Sequence, residues 1–240
     1  MRSGRSGILR AELETALGTR VTSPFTDLEQ RVRERVPTGI ASLDSSTGGL
    51  PRGAITEIAG SLSSGRTSIA LSILAAGSDR GEACAFVDGM DAFDPASGAA
   101  SGIDLRRLLW IRCRTLDQTL RSTDLLLQGG GFGLVVADLS DLPQQNVRSV
   151  PLASWFRLQR VIENTPTSLL LLVRESVAKS AAALALHTSL KHTEQTGLLL
   201  SAHHLDLEII RSRNPMDFKS KTSNLKFKIY PPHVCRHPYS

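Results

Sequence analysis

Eight consecutive residues constrain this chain most: Gly60-Ser61-Leu62-Ser63-Ser64-Gly65-Arg66-Thr67. A β-prone run, Ala54–Ala59 (AITEIA), precedes them, and an apolar helix-compatible run, Ser68–Ala76 (SIALSILAA), follows. A strand that turns through a glycine-bounded loop into a helix is the setting of the phosphate-binding loop G-x-x-x-x-G-K-[ST]. Glycines such as Gly60 and Gly65 allow a tight turn whose backbone N–H groups converge on phosphate oxygens. The following helix adds the positive end of its dipole. Ser63 and Ser64 complete the cradle, and the Thr67 hydroxyl stands where Mg²⁺ would be held. Arg66 occupies the lysine position. A wide, planar, permanently charged fork in place of a compact ammonium predicts weakened nucleotide binding, with hydrolysis more damaged than binding.

The remaining pattern sets the fold class. Ala83–Asp88, the segment centred on Leu108–Ile111, Leu134–Asp138 and Ser168–Val173 read as buried strands. Thr115–Leu127 and Leu152–Glu163 read as intervening helices, and Ala178–Lys191 is alanine-rich and helix-prone. His203–Arg211 and Leu225–Tyr230 alternate like two antiparallel strands. Such β-α-β order predicts an α/β domain with a mainly parallel sheet sandwiched by helices and antiparallel strands at its C-terminal end. Ligands then bind at the carboxyl ends of the strands. Asp138 closes the apolar run LVVAD and is the candidate second Mg²⁺ ligand.

Residues 1–36 read as a helical segment, with helices at Ile8–Leu17 and Asp27–Val36. Residues 37–230 form the core, and the Pro/His-rich residues 231–240 a flexible tail. With 240 residues and 41% hydrophobic content the chain can bury one sizeable core. No apolar run has the length of a membrane span, and the first residues carry no secretory h-region, so a cytoplasmic protein is expected. Three scattered cysteines, Cys84, Cys113 and Cys235, suit a reducing compartment. His187, His192, His203 and His204 match no common zinc spacing, so no metal site beyond Mg²⁺ is expected. Trp110 and Trp155 read as packing residues. The net charge of +5 is clustered at Arg31–Arg35, Arg106–Arg114 and Arg211–Lys228. Each cluster reads as a solvated face, or together they make a nucleic-acid surface.

Three segments carry a family likeness. Thr47–Thr67 (TGGLPRGAITEIAGSLSSGRT) resembles the RecA recombinase segment through GGLP-x-G and GPESSGKT. Cys84–Pro95 (CAFVDGMDAFDP) resembles CAFIDAEHALDP, and Gly102–Leu109 (GIDLRRLL) resembles GVDIDNLL. The likeness runs from about Thr38 to Val173 and more faintly to Ile229. It implies a RecA-like P-loop NTPase core with ATP and Mg²⁺ as cofactors. It implies Asp94 as an adenine contact, and Arg211 and Arg213 as charges reaching a neighbouring subunit's ATP. It also implies that the catalytic glutamate falls on Met90, whose thioether cannot orient or deprotonate water, and that the base-packing tyrosine falls on Ser97. The family's first DNA-binding loop is reduced to Ser140–Pro151. Its glycine-rich second loop, due after Val173, lacks its TTGG run.

A RecA core with eroded catalysis is also similar to the ImuA-type accessories of mutagenic translesion synthesis. The resemblance therefore implies a DNA-repair protein of the SOS response and translesion synthesis, with a degenerate ATP site and little hydrolysis. Its implied partners are single-stranded DNA, a RecA-type or Y-family-polymerase-like protein and further copies of the chain, with no membrane. Two alternatives stand beside it. One is an active single-stranded-DNA-dependent ATPase and recombinase with an unrecognised base such as Asp88 or Asp91. The other is a structural interaction module whose vestigial site is filled by Arg66 pairing with Asp138.

Overall fold

In the computed structural model, residues 34–196, 199–213 and 224–229 are described. The strands are β1 (Arg35–Val36), β2 (Leu50–Pro51), β3 (Ala54–Ala59), β4 (Cys84–Asp88), β5 (Leu108–Arg112), β6 (Leu134–Asp138), β7 (Ser168–Val173), β8 (Ala182–Thr196), β9 (Leu199–Ser212) and β10 (Asn224–Ile229). The helices are α1 (Ala41–Thr47), α2 (Arg66–Asp79), α3 (Pro95–Ala100), α4 (Leu116–Gly129), α5 (Gln144–Ser149) and α6 (Leu152–Ile162).

Eight strands form one sheet in the order β10-β9-β8-β3-β7-β6-β4-β5. From β8 to β5 neighbours run parallel, whereas β9 pairs antiparallel with both β8 and β10. Alternation along the strands divides the core into two layers. Leu170 and Leu172 of β7 join Ile69, Ile73 and Leu74 of α2 on one face. Leu169, Leu171 and Val173 join Trp155, Leu158 and Ile162 of α6 on the other. Trp155 is fully buried there, as a packing residue should be, while Trp110 donates its indole N–H to Asp88 Oδ2 at 3.2 Å.

Two readings of local structure are corrected. The alanine-rich segment is strand: β8 starts at Ala182 and pairs parallel with β3 from Ile55↔Ala182 to Ala59↔His187. Local helix preference is worth tenths of a kcal/mol per residue and yields to this pairing, which buries Leu184 and Leu186. The charged N-terminal helix does not extend to Val36, because Arg35–Val36 is β1, paired with Leu50–Pro51. Its residues before Glu34, the helix at Ile8–Leu17 and the tail after Ile229 lie outside the described residues, as do Lys219 and Lys221. Among the described residues no helix is long and apolar enough to cross a membrane.

Candidate nucleotide site

The loop from Gly60 to Gly65 joins the carboxyl end of β3 to the first turn of α2, and its shape comes from small residues under tight enclosure. Gly65 has φ +85°, and a β-carbon there would overlap the Leu205 side chain of β9. A β-carbon on Gly60 would overlap Ser64 Oγ and the Thr188 carbonyl. Ser63 is the loop's other left-handed residue, at φ 58°. Thr188 Oγ1 donates to the Ser64 carbonyl at 2.8 Å, so the β8–β9 hairpin braces the loop from behind. The α2 N-terminus has neither a side-chain cap nor an acidic first turn. Its orphan amides and dipole suit an anion. Thr67 is exposed in that turn.

Arg66 does not extend into the cradle. It is 6% exposed, and its Nη1 donates at 2.7 Å to the carbonyl of Val173, which also accepts the Gly60 amide at 3.2 Å. Burial lowers the guanidinium pKa, while Asp138 and Asp141 oppose that shift. Arg66 and Asp138 therefore attract each other, yet among the described residues they form no direct ion pair. The Arg66–Asp138 pairing of the vestigial-module alternative is replaced by a bond to backbone, because the fork lies across the ends of β3 and β7.

Asp138 ends β6. Its Oδ1 accepts the Ser140 amide at 2.9 Å and the Ser140 hydroxyl. Burial raises its pKa; the two Ser140 hydrogen bonds oppose that shift, Asp141 adds to it less strongly, and Arg66 opposes it least. A carboxylate kept short of positive charge beside an uncapped helix start fits a bound Mg²⁺. The linkage has a definite sign. A folded-state pKa above the unfolded value means stability is lost as pH rises from the unfolded value through the folded one. The full penalty then applies at neutral pH. Asp138→Asn keeps the acceptor oxygen for Ser140 and removes the charge. Its thermal midpoint is expected to rise at pH 7, with the gain disappearing in acid, as read by calorimetry at both pH values.

Beside β6, the turn after β4 carries the remaining candidates. The Gly89 amide donates to the Asp138 carbonyl at 3.1 Å, which sets the backbone of Met90 next to the carboxyl end of β6. Met90 is 47% exposed. Asp88 is buried and accepts the amides of Met90, Ala92 and Phe93 at 3.3, 3.0 and 2.8 Å, besides Trp110. Asp91, at φ 58°, pairs with Arg112, and this bond holds its pKa low. Neither acid is left as a base for water. Asp94 caps α3, accepting the Ser97 amide at 2.9 Å and its hydroxyl at 2.6 Å.

Arg211 and Arg213 stand apart from this group. They lie at the level where β9 pairs with the start of β8, Ala185↔Arg211 and Leu184↔Ser212, towards the end of the sheet opposite the loop. Arg213 bonds the Ser180 carbonyl.

Three further residues carry structure that sequence reasoning missed. Glu57, fully buried in mid-β3, accepts the Val177 and Ala178 amides at 2.7 and 2.9 Å and the Ser176 hydroxyl. It fixes the short connection after β7. Arg174 Nε donates to the Ser140 carbonyl at 2.7 Å, and Arg148 of α5 pairs with Glu175. The two segments that stand where the family's DNA-binding loops are due, already read as altered, are thus short and bonded to each other. Among the basic residues near β5, Arg106 pairs with Asp104 at 3.0 Å and Arg112 with Asp91, which favours the solvated-face reading there.

The family model for the RecA N-terminal domain matches residues 10–147. Protein RecA of Brucella anthropi is 44% identical over 107 residues, covering 44% of this chain and 30% of the relative. Protein RecA of Symbiobacterium thermophilum is 43% identical over 107 residues, covering 44% and 31%. Protein RecA of Brucella canis is 39% identical over 131 residues, covering 53% and 36%. The chain thus spans about a third of the length of the curated relatives it matches.

Proposed function

Because the chain belongs to the RecA N-terminal domain family, we propose that it is a RecA-like DNA-repair protein that binds MgATP weakly and turns it over little. It serves as an accessory in the SOS response and translesion synthesis, in the manner of the ImuA type, in the cytoplasm. The carrying observation is Met90, the residue after the Gly89 amide that bonds the Asp138 carbonyl, at the position where the resemblance puts the family's general base. The backbone amides of Gly60–Gly65 and the Ser63 and Ser64 positions hold the phosphates. Thr67 and Asp138 would hold Mg²⁺, which when bound would neutralise charge on the phosphate oxygens. Arg66 reaches phosphate only by giving up Val173, so affinity falls relative to a lysine loop. Asp94 gives part of the adenine seat. Arg211 and Arg213, at the far end of the sheet, suit contact with a neighbouring copy.

The ordered segments around Ser140 and Ser176 support a protein partner of the RecA or Y-family-polymerase kind over wrapping of single-stranded DNA. A second reading, an interaction module with a vestigial site, is favoured by the Arg66–Val173 bond. Equilibrium binding of a fluorescent ATP analogue separates the two. The accessory reading requires Mg²⁺-dependent binding that Asp138→Asn abolishes. Binding absent at every Mg²⁺ concentration supports the vestigial module.

A further inference from the structure

The β8–β9 hairpin carries a cluster that nucleotide chemistry does not use. His192 and Glu194 are two residues apart on β8, and His204 is the direct cross-strand partner of His192. Alternation puts the three side chains on one face. The two imidazole rings stack with centroids 4.0 Å apart and planes 12° from parallel. His204 Nε2 lies 2.6 Å from Glu194 Oε1. One donor atom from each of the three lies within 4.8 Å of the others.

A register shift creates this grouping. Leu190 pairs with Leu205, but the next pair is His192↔His204, so Lys191 is an extra residue on β8. An unbulged ladder would set Lys191 opposite His204. The bulge re-aims the strand and turns the Lys191 ammonium to Asp206, 2.9 Å away. Linear spacing alone gives no sign of the cluster, because both the bulge and the pairing are non-local.

We propose that His192, Glu194 and His204 form a binding site for a divalent transition-metal ion of the zinc class. Two imidazoles and one carboxylate are a donor set that zinc accepts, with solvent or a further donor in the fourth position. Ligand bonds of 2.0–2.2 Å put tetrahedral donors ~3.3 Å apart. The present spacing closes to that by side-chain rotation, since His192 is exposed and the other two are half-buried. Two stacked imidazolium rings would repel, whereas two neutral rings offer lone pairs to a single ion. The site also has a structural position. Leu205, next to His204, packs on Gly65, and Thr188 of β8 holds Ser64. A bound ion would tie together the two strands that brace the phosphate loop.

The test is a Zn²⁺ titration of the full chain against a chromophoric chelator, with Co²⁺ absorption as a second readout of tetrahedral ligation. His233, Cys235 and His237 are replaced by Ala in every sample, so that the C-terminal donors do not compete. One ion per chain is expected. Affinity should fall at least ~10-fold in each of His192→Ala, His204→Ala and the shape-preserving Glu194→Gln. Zn²⁺ should raise the thermal midpoint of the parent and leave that of His204→Ala unmoved. Zinc affinity unchanged by His192→Ala and His204→Ala, or binding lost with the C-terminal replacements alone, would overturn the proposal.

Discussion

Turnover of MgATP is expected to rise by roughly 100-fold when Met90 is replaced by Glu, the low end of what a positioned general base contributes. Geometry favours the gain. Gly89 is bonded to the Asp138 carbonyl, so the side chain at position 90 starts next to the carboxyl end of β6, where Mg²⁺ is proposed to bind. Asp88 cannot substitute, because backbone amides and Trp110 occupy its carboxylate. Asp91 is held by Arg112. Met90 is 47% exposed, so a charged residue there costs little stability and the assay is not confounded by unfolding. Adding Arg66→Lys should tighten nucleotide binding further, since a flexible ammonium is not tied to Val173 as the fork is. Turnover unchanged in the double variant would mean that the loss lies outside these two positions, for example in the adenine seat around Ser97.

Glu57→Leu is expected to cost about 3–5 kcal/mol of folding stability, measured from denaturant midpoints. Leucine is about one methylene larger, and it leaves the Val177 and Ala178 amides without their acceptor in a buried place. Glu57→Gln separates hydrogen bonding from charge. Its oxygen keeps both amides and the Ser176 hydroxyl can rotate to accept from the new amide, so a cost near 1 kcal/mol is expected. If Leu is tolerated as well as Gln, the connection between β7 and β8 is not locked by Glu57. The contrast with a long DNA-binding loop would then weaken.

The parts of the fold legible in the sequence are those whose signal is local. β3, β6 and β7 are apolar runs ended by turn residues, and their bounds match the reading at both ends. The turn from β3 into α2 was legible because glycines at fixed spacing have few other uses between a strand and a helix. β8 was not, because alanine favours helix locally while its strand state depends on pairing with β3 across the sheet. The Arg66 bond was missed for a related reason: the Val173 carbonyl comes close only when β7 lies beside β3. The role of Glu57 and the histidine pair on the hairpin depend on register, which no single stretch of sequence encodes.

Steady-state ATP hydrolysis by the purified chain tests the central claim most directly. It is measured with Mg²⁺, with and without single-stranded DNA, and with Asp138→Ala as the control. The account predicts turnover barely above that control and not raised by single-stranded DNA, because Met90 offers no base and Arg66 is held by Val173. DNA-stimulated turnover that disappears in Asp138→Ala would contradict it and establish a working RecA-type ATPase in this chain.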